Sequence, residues 1–147
     1  MKKLFIIVFL FSVVIPIASA DKGNELQALS AWTNQSGSTL FIDSIGADGK
    51  LTGTYVNRAS GYQCQNSSYP VTGWVYGTAI TFTTLWRNST ESCNSITAWT
   101  GFYFQGQIQT LWQFVVNGSS NTNQIIKGED IFTPATARSY NSLLSKK

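Results

Sequence analysis

Short segments rich in β-branched and aromatic residues, separated by glycine-bearing turns, run from Ala31 to Thr133, and no stretch sustains a helical period. That pattern commits the backbone to strands. The spacing predicts eight of them, over residues 31–34, 39–45, 50–56, 69–75, 79–86, 96–104, 107–116 and 128–133. Ala47-Asp48-Gly49, Tyr76-Gly77-Thr78 and Phe104-Gln105-Gly106 carry the turn chemistry of tight hairpins. Consecutive hairpins favour a meander. The expected fold class is therefore all-β, an eight-stranded antiparallel up-and-down β-barrel, wide enough for one small ligand and free of exposed sheet edges.

The first twenty residues read as a cleaved secretory signal peptide rather than as part of the fold. Lys2 and Lys3 give a positive start, residues 4–15 an apolar run, and Ala18-Ser19-Ala20 a cleavage site. The run is too short to span a bilayer; a retained anchor is the alternative. Cleavage would leave 127 of the 147 residues, beginning at Asp21 and sized for one domain in an extracellular or periplasmic setting. The layout expected is a signal peptide (1–20), an N-terminal extension (21–30), a barrel (31–134) and a C-terminal tail (135–147). Both flanks read as surface extensions, and Ser142-Leu143-Leu144 in the tail either forms a helical turn or frays. Two of the three net positive charges belong to Lys2 and Lys3, so the remainder carries about +1. Without a basic stripe nucleic acid is not an expected partner, and after signal cleavage neither is a membrane.

Cys64 and Cys93 are the only cysteines. In an oxidising compartment the default reading is a disulfide. Free thiols or half of a metal site are the alternatives, and the chain has no histidine to complete a metal site. Closing a loop of about 30 residues would stabilise by roughly 3–4 kcal/mol on the chain-entropy model. The bond would tie residues 58–68 to 87–95 at one mouth of the barrel.

Trp86, Trp99 and Trp112 fall at strand-like spacing, and Asn34-Gln35-Ser36-Gly37-Ser38 lies upstream. Together they suggest an apolar pocket walled by indoles, with a small polar cluster to orient its occupant. The missing histidine, the single pair of cysteines and the lack of two suitably placed carboxylates remove most acid–base and nucleophilic schemes. The chain reads as a binder, not an enzyme.

The ordered fragments Trp32-Thr33-Asn34-Gln35-Ser36-Gly37-Ser38, Leu51-Thr52-Gly53-Thr54-Tyr55, Trp86-Arg87-Asn88, Thr97-Ala98-Trp99-Thr100-Gly101, Thr110-Leu111-Trp112 and Gly128-Glu129-Asp130-Ile131-Phe132 carry a resemblance. Across residues 31–133 the chain resembles the avidin/streptavidin family of biotin-binding proteins. The resemblance implies biotin as a bound ligand and no cofactor. It assigns Asn34, Ser38 and Tyr55 as three donors to the ureido oxygen, and Asp130 as a charged acceptor of one ureido N–H. Asn57 falls where the family has a small polar acceptor, often serine, for the other N–H. Thr97 matches a hydroxyl facing the thioether sulfur, and Ser95 one that holds the valerate carboxylate. Trp86, Trp99 and Trp112 match the aromatic walls, and Phe114 stands where an aliphatic pocket residue is usual.

Two departures set the chain apart from tetrameric members, in which a neighbouring subunit lends a lid tryptophan from between the last two strands. The matching segment, residues 117–127, contains none. The Cys64–Cys93 pair offers a substitute, since stapled loops pay less ordering cost on binding. Both departures resemble the dimeric, rhizavidin-like branch and imply a homodimer. A lipocalin-like carrier of another apolar ligand is the alternative, though it has no use for Asn34, Ser38, Tyr55 and Asp130. A structural or adhesive role leaves the tryptophans unexplained as well. Asn34, Asn66, Asn88 and Asn117 each begin a glycosylation sequon; a pocket-lining Asn34 would leave no room for a glycan.

Overall fold

The computed structural model describes residues 25–135. The expected signal peptide, the start of the N-terminal extension and the C-terminal tail beyond residue 135 lie outside the described residues. Eight strands follow one another: β1 (Ser30–Thr33), β2 (Thr39–Ile45), β3 (Lys50–Val56), β4 (Ser68–Tyr76), β5 (Ala79–Trp86), β6 (Ser95–Phe104), β7 (Gln107–Val116) and β8 (Ile126–Pro134). Each pairs antiparallel with the next, and β8 returns to β1 through Trp32↔Pro134 and Thr33↔Thr133, closing the barrel.

Alternation along the strands sets inside from outside. In β5, Ile80, Phe82, Thr84 and Trp86 are buried while Ala79, Thr83 and Leu85 face out. In β6, Ser95, Thr97 and Trp99 point in and Ile96, Ala98 and Thr100 out. Leu40, Ile42, Leu51, Phe82, Ile108 and Phe132 fill the interior. The β2–β3, β4–β5 and β6–β7 turns gather at one end and are tight. Gln105 and Gly106 both have positive φ (48° and 77°), the twist that suits a two-residue hairpin. Leu26, ahead of β1, is buried in the same core cluster as Trp32, whose ring meets Tyr103 edge-on. A stretch expected to be superficial thus contributes an apolar plug.

The opposite end carries the longer connections. Strand limits differ from the spacing-based ones by a residue or two, most at β8, which begins at Ile126 because Ile126 and Lys127 pair with Phe114 and Gln113. Ahead of it lies a 3-10 turn at Thr122–Gln124, closed by a reciprocal Asn121/Gln124 capping box. Both begin inside a polar run that has no strand period. A register shift between Ile42 and Ser44 marks a bulge in β2.

Candidate functional site

A cavity of about 340 Å³ opens at the long-loop end. It takes Tyr55 from β3, Trp86 from β5, Ser95, Thr97 and Trp99 from β6, Trp112 and Phe114 from β7 and Asp130 from β8. Asn34 and Ser38, flanking the β1–β2 turn, and Asn57, just past β3, complete its lining. All eleven residues singled out in the sequence therefore meet in one cavity. Alternation brings them there, because each sits at an inward position of its strand or at a strand end.

The deep polar side is internally paired. Asn34 turns its Oδ1 toward its own loop, accepting from the backbone N–H groups of Ser36 (3.1 Å) and Ser38 (2.9 Å). That fixes its Nδ2 toward the pocket, where it donates to Asp130 Oδ1 (2.9 Å) and reaches Tyr55 Oη at 3.3 Å. Asp130 Oδ2 accepts from Trp99 Nε1 (2.8 Å). Ser38, fully buried, accepts from the Arg58 N–H at 2.8 Å and makes a long bond to Asn57 Oδ1 at 3.4 Å. Burial pushes the Asp130 carboxyl above its ordinary value of 3.8; the bonds from Trp99, Asn34 and Gln35 pull only part of the way back. Burial, reinforced by the nearby Asp130 charge, also raises Tyr55 well above an ordinary phenol, so it remains a donor.

The walls are aromatic. Phe82 and Trp99 stack at 4.8 Å, Tyr55 lies against Trp99 at 4.9 Å, and Tyr69 meets Trp86 edge-on at 5.1 Å. Trp86 Nε1 donates to Thr97 Oγ1 (2.8 Å), which leaves the Thr97 proton free to turn inward. Trp112 lies flat across Gly128; a Cβ there would sit 2.2 Å from its ring.

At the mouth, Cys64 and Cys93 form a disulfide with their Cα atoms 5.9 Å apart. Polar ties run beside it. Glu91 accepts from the Cys64 N–H, and Asn88 Nδ2 donates to Tyr69 Oη (2.8 Å) and contacts Cys64 Sγ. Ser95 Oγ donates to the Cys93 carbonyl (2.5 Å). Among the described residues no group of three His, Cys, Asp or Glu could hold a metal ion.

The avidin family model matches residues 22–135 of this chain. The chain belongs to the avidin family. Members of this family bind rather than transform their ligand. Afifavidin of Afifella pfennigii is 40% identical over 122 residues, covering 80% of this chain and 76% of that protein. Apo shwanavidin is 65% identical with a TM-score of 0.72, covering 76% of this chain and 99% of the other. A rhizavidin–biotin complex is 46% identical with a TM-score of 0.67, covering 76% and 94%.

Within this avidin-family barrel, Tyr62 and Gln35 stand out among the lining residues that sequence reasoning did not assign. Tyr62, from the β3–β4 loop, lines the cavity and meets Phe114 edge-on at 5.9 Å across the mouth. Its only signal is an aromatic two residues before the loop cysteine. Gln35 was read only as a member of the Asn34–Ser38 motif and of a sequon, with no role of its own. Its Nε2 donates to Asp130 Oδ1 and the Glu129 carbonyl (both 2.9 Å), and its Oε1 accepts from the Ile131 N–H (3.1 Å). The amide thereby prolongs the β1–β8 seam past Thr33. Of the four sequons, Asn34 is buried and Asn88 bonded at Nδ2, so neither offers its amide nitrogen to a glycan.

Proposed function

We propose that this chain binds biotin non-covalently in the barrel mouth and acts as a secreted homodimer. The observation that carries the ligand is the internal pairing of the polar side. Asn34→Asp130 and Ser38→Asn57 are two donor–acceptor pairs flanking the Tyr55 hydroxyl. A cyclic urea presents N–H, C=O and N–H in series. Its oxygen takes the Asn34, Ser38 and Tyr55 donors, and its two N–H groups take the freed Asp130 and Asn57 acceptors. Each of these side-chain bonds is replaced by one to the urea, so little desolvation goes uncompensated, and bonds to the charged Asp130 are worth about 1.5–3 kcal/mol. Trp86, Trp99 and Trp112 enclose the bicyclic ring, the Thr97 hydroxyl faces the sulfur, Phe114 flanks the tail and Ser95 meets its carboxylate.

The biotin complex of rhizavidin supports the ligand, since that protein shares the fold and nearly half the sequence. Secretion is supported by the N-terminal leader pattern alone. The dimer draws on the absent lid tryptophan and on the outer barrel face. Register puts Leu85, Ile96 and Val115 in one outward row; beyond a row of Thr83, Ala98, Gln113 and Lys127 comes Leu111 beside Thr100, and then Phe102 and Ile131 flanking Gln109. Leu111 is 69% exposed and Leu85 55%. Several large apolar side chains exposed on one barrel face, interleaved with polar ones, suit an association surface. Its proposed occupant is the same face of a second copy. Titrating the oxidised chain from Asp21 onward with biotin should quench tryptophan fluorescence stoichiometrically; no change at micromolar biotin would refute the ligand. Light scattering should return twice the chain mass; a stable tetramer would refute the dimer.

A further inference from the structure

Asn117-Gly118 is the one Asn-Gly pair in the chain. It forms the centre of the turn that leaves β7, closed by the Ser119 N–H donating to the Val116 carbonyl at 3.1 Å. Gly118 has φ +95°, a value that glycine adopts freely at the third position of such a turn. The Asn117 N–H donates to the Asn94 carbonyl at 2.8 Å. The turn is thus seated on the barrel rim, one step beyond the Ser95↔Val116 pair, and both of those residues line the cavity. Asn117 is exposed, and a Cβ added at Gly118 would meet nothing within 4 Å. Among the described residues, neither the Asn117 side-chain amide nor the Gly118 N–H has a hydrogen-bond partner.

Comparable positions elsewhere are restrained. At Asp48-Gly49 the carboxylate accepts from the Lys50 N–H (3.0 Å), and the Gly49 N–H donates to the Gly46 carbonyl (2.9 Å). The Val75 carbonyl closes the space beside Gly49. Asn88 is held at both ends, its Oδ1 accepting from the Thr90 and Glu91 N–H groups and its Nδ2 donating to Tyr69. Asn117 has none of these restraints.

We propose that Asn117 is a self-modification site, at which the folded protein converts a neutral rim amide into a carboxylate. The Gly118 nitrogen, unhindered because its residue has no side chain, bonds to Asn117 Cγ. The Cγ–Nδ2 bond breaks, and ammonia leaves with the former Gly118 amide proton. Water then opens the cyclic imide. Addition at Cγ gives aspartate, and addition at the main-chain carbonyl gives isoaspartate, whose backbone runs through Cβ and Cγ. Either route consumes water, releases ammonia and leaves a negative charge on the rim. The consequence for the ligand rests on the biotin reading above. The new charge lies one residue past the Ser95↔Val116 pair, and that reading gives Ser95 to the valerate carboxylate. It therefore opposes a ligand that ends in a carboxylate and spares one that ends in a neutral amide. With age the rim shifts its preference from free biotin toward the amide-linked form.

Peptide mapping with an isoaspartate assay tests the chemistry, on the folded, oxidised protein in warm, mildly alkaline buffer and on the same protein in concentrated urea. Folding should slow the reaction at Asn117 by no more than about tenfold, yet slow isoaspartate formation at Asp48-Gly49 by about a hundredfold or more. Asn117→Gln, whose longer side chain would have to close a larger ring, should keep its amide. Protection of Asn117 as strong as that of Asp48 would overturn the proposal, and so would an intact Asn117 in protein whose Asn88 has reacted. For the ligand, Asn117→Asp carries the charge permanently. It should bind free biotin about twofold more weakly at low ionic strength and match wild type for biotin amide, with the difference vanishing in high salt. Equal weakening for both ligands would show that the shape of the turn acts rather than its charge, and would overturn the shift in preference. Wild-type protein that binds neither ligand would instead remove the biotin reading and leave the modification standing.

Discussion

Asp130, Tyr55, Trp99 and Thr97 stand on strands paired on both sides, whereas Tyr62, Gln63, Ser92 and Cys93 stand on loops bridged by side chains. On the strands, register alone aims a side chain: Thr110↔Asp130 and Phe82↔Trp99 place both groups inward without help from distant residues. At the rim, position depends on cross-links, namely the disulfide, the Glu91 and Asn88 bonds and the Asn57–Ala59 bond. The two regions should therefore fail differently. Losing a strand-borne polar group removes contacts to the ligand, while losing a rim tie raises the cost of ordering the loops.

The largest effect belongs to the deep side. Asp130→Ala removes a buried charged acceptor, and truncating one partner of such a pair should weaken biotin binding by about 4 kcal/mol, roughly a thousandfold, mostly as faster dissociation. Release of labelled biotin measures it. A change under tenfold would mean that the strand-borne polar set does not dominate the affinity.

The rim follows. Replacing Cys64 and Cys93 together by Ser opens a cross-link spanning 29 residues and should lower stability by about 3 kcal/mol, read from urea unfolding. Biotin dissociation should quicken by only about tenfold, since the strand contacts stay in place. A double variant as defective in binding as Asp130→Ala would erase the distinction between the two regions.

The same distinction governs what could be read from the chain. The strands announce themselves through β-rich runs and hairpin turns, so the limits of β5 (Ala79–Trp86) were legible, whereas its imperfect alternation did not tell inward Thr84 from outward Thr83 and Leu85. Trp86, Trp99, Trp112 and Asp130 then share a cavity as a direct consequence of alternation and order. Tyr62 and the Asn57–Ala59 bond were not legible, because a loop has no period to fix where a side chain points. Gln35 escaped for a related reason: its amide prolongs a strand pair from beyond the end of β1. Ile126 and Lys127 were missed because Gly128 looks like a strand boundary. It is instead an inward position left bare for Trp112.

That bare position gives a third test, on the wall between the two regions. Gly128→Ala would drive a methyl into the Trp112 ring and tilt it from the pocket wall. Overpacking of this kind costs about 2 kcal/mol, divided between stability and biotin affinity. Biotin-induced quenching should shrink with it. Glu129→Ala, one residue on and facing outward, serves as the control and should change quenching little.

Acidification probes the deep side through Asp130, while the disulfide at the rim does not titrate. The folded, empty protein binds the Asp130 proton more tightly than an unfolded chain does, since burial raises that carboxyl above 3.8. Between 3.8 and the raised value the folded state holds more protons than the unfolded one. Asp130's contribution to the stability of the empty protein therefore increases as pH falls through this window and is lost as pH rises through it. Biotin requires the ionised carboxylate, so its affinity should move the other way, falling by up to about tenfold, or 1.4 kcal/mol, per pH unit within the window. Tyr55, raised as well, stays protonated throughout and adds no slope of its own. The gap in Tm between empty and biotin-loaded protein should thus narrow steadily as pH drops toward 3.8, and Asp130→Asn should flatten that trend. A gap that is independent of pH in wild type would place the dominant recognition outside the Asp130 carboxylate.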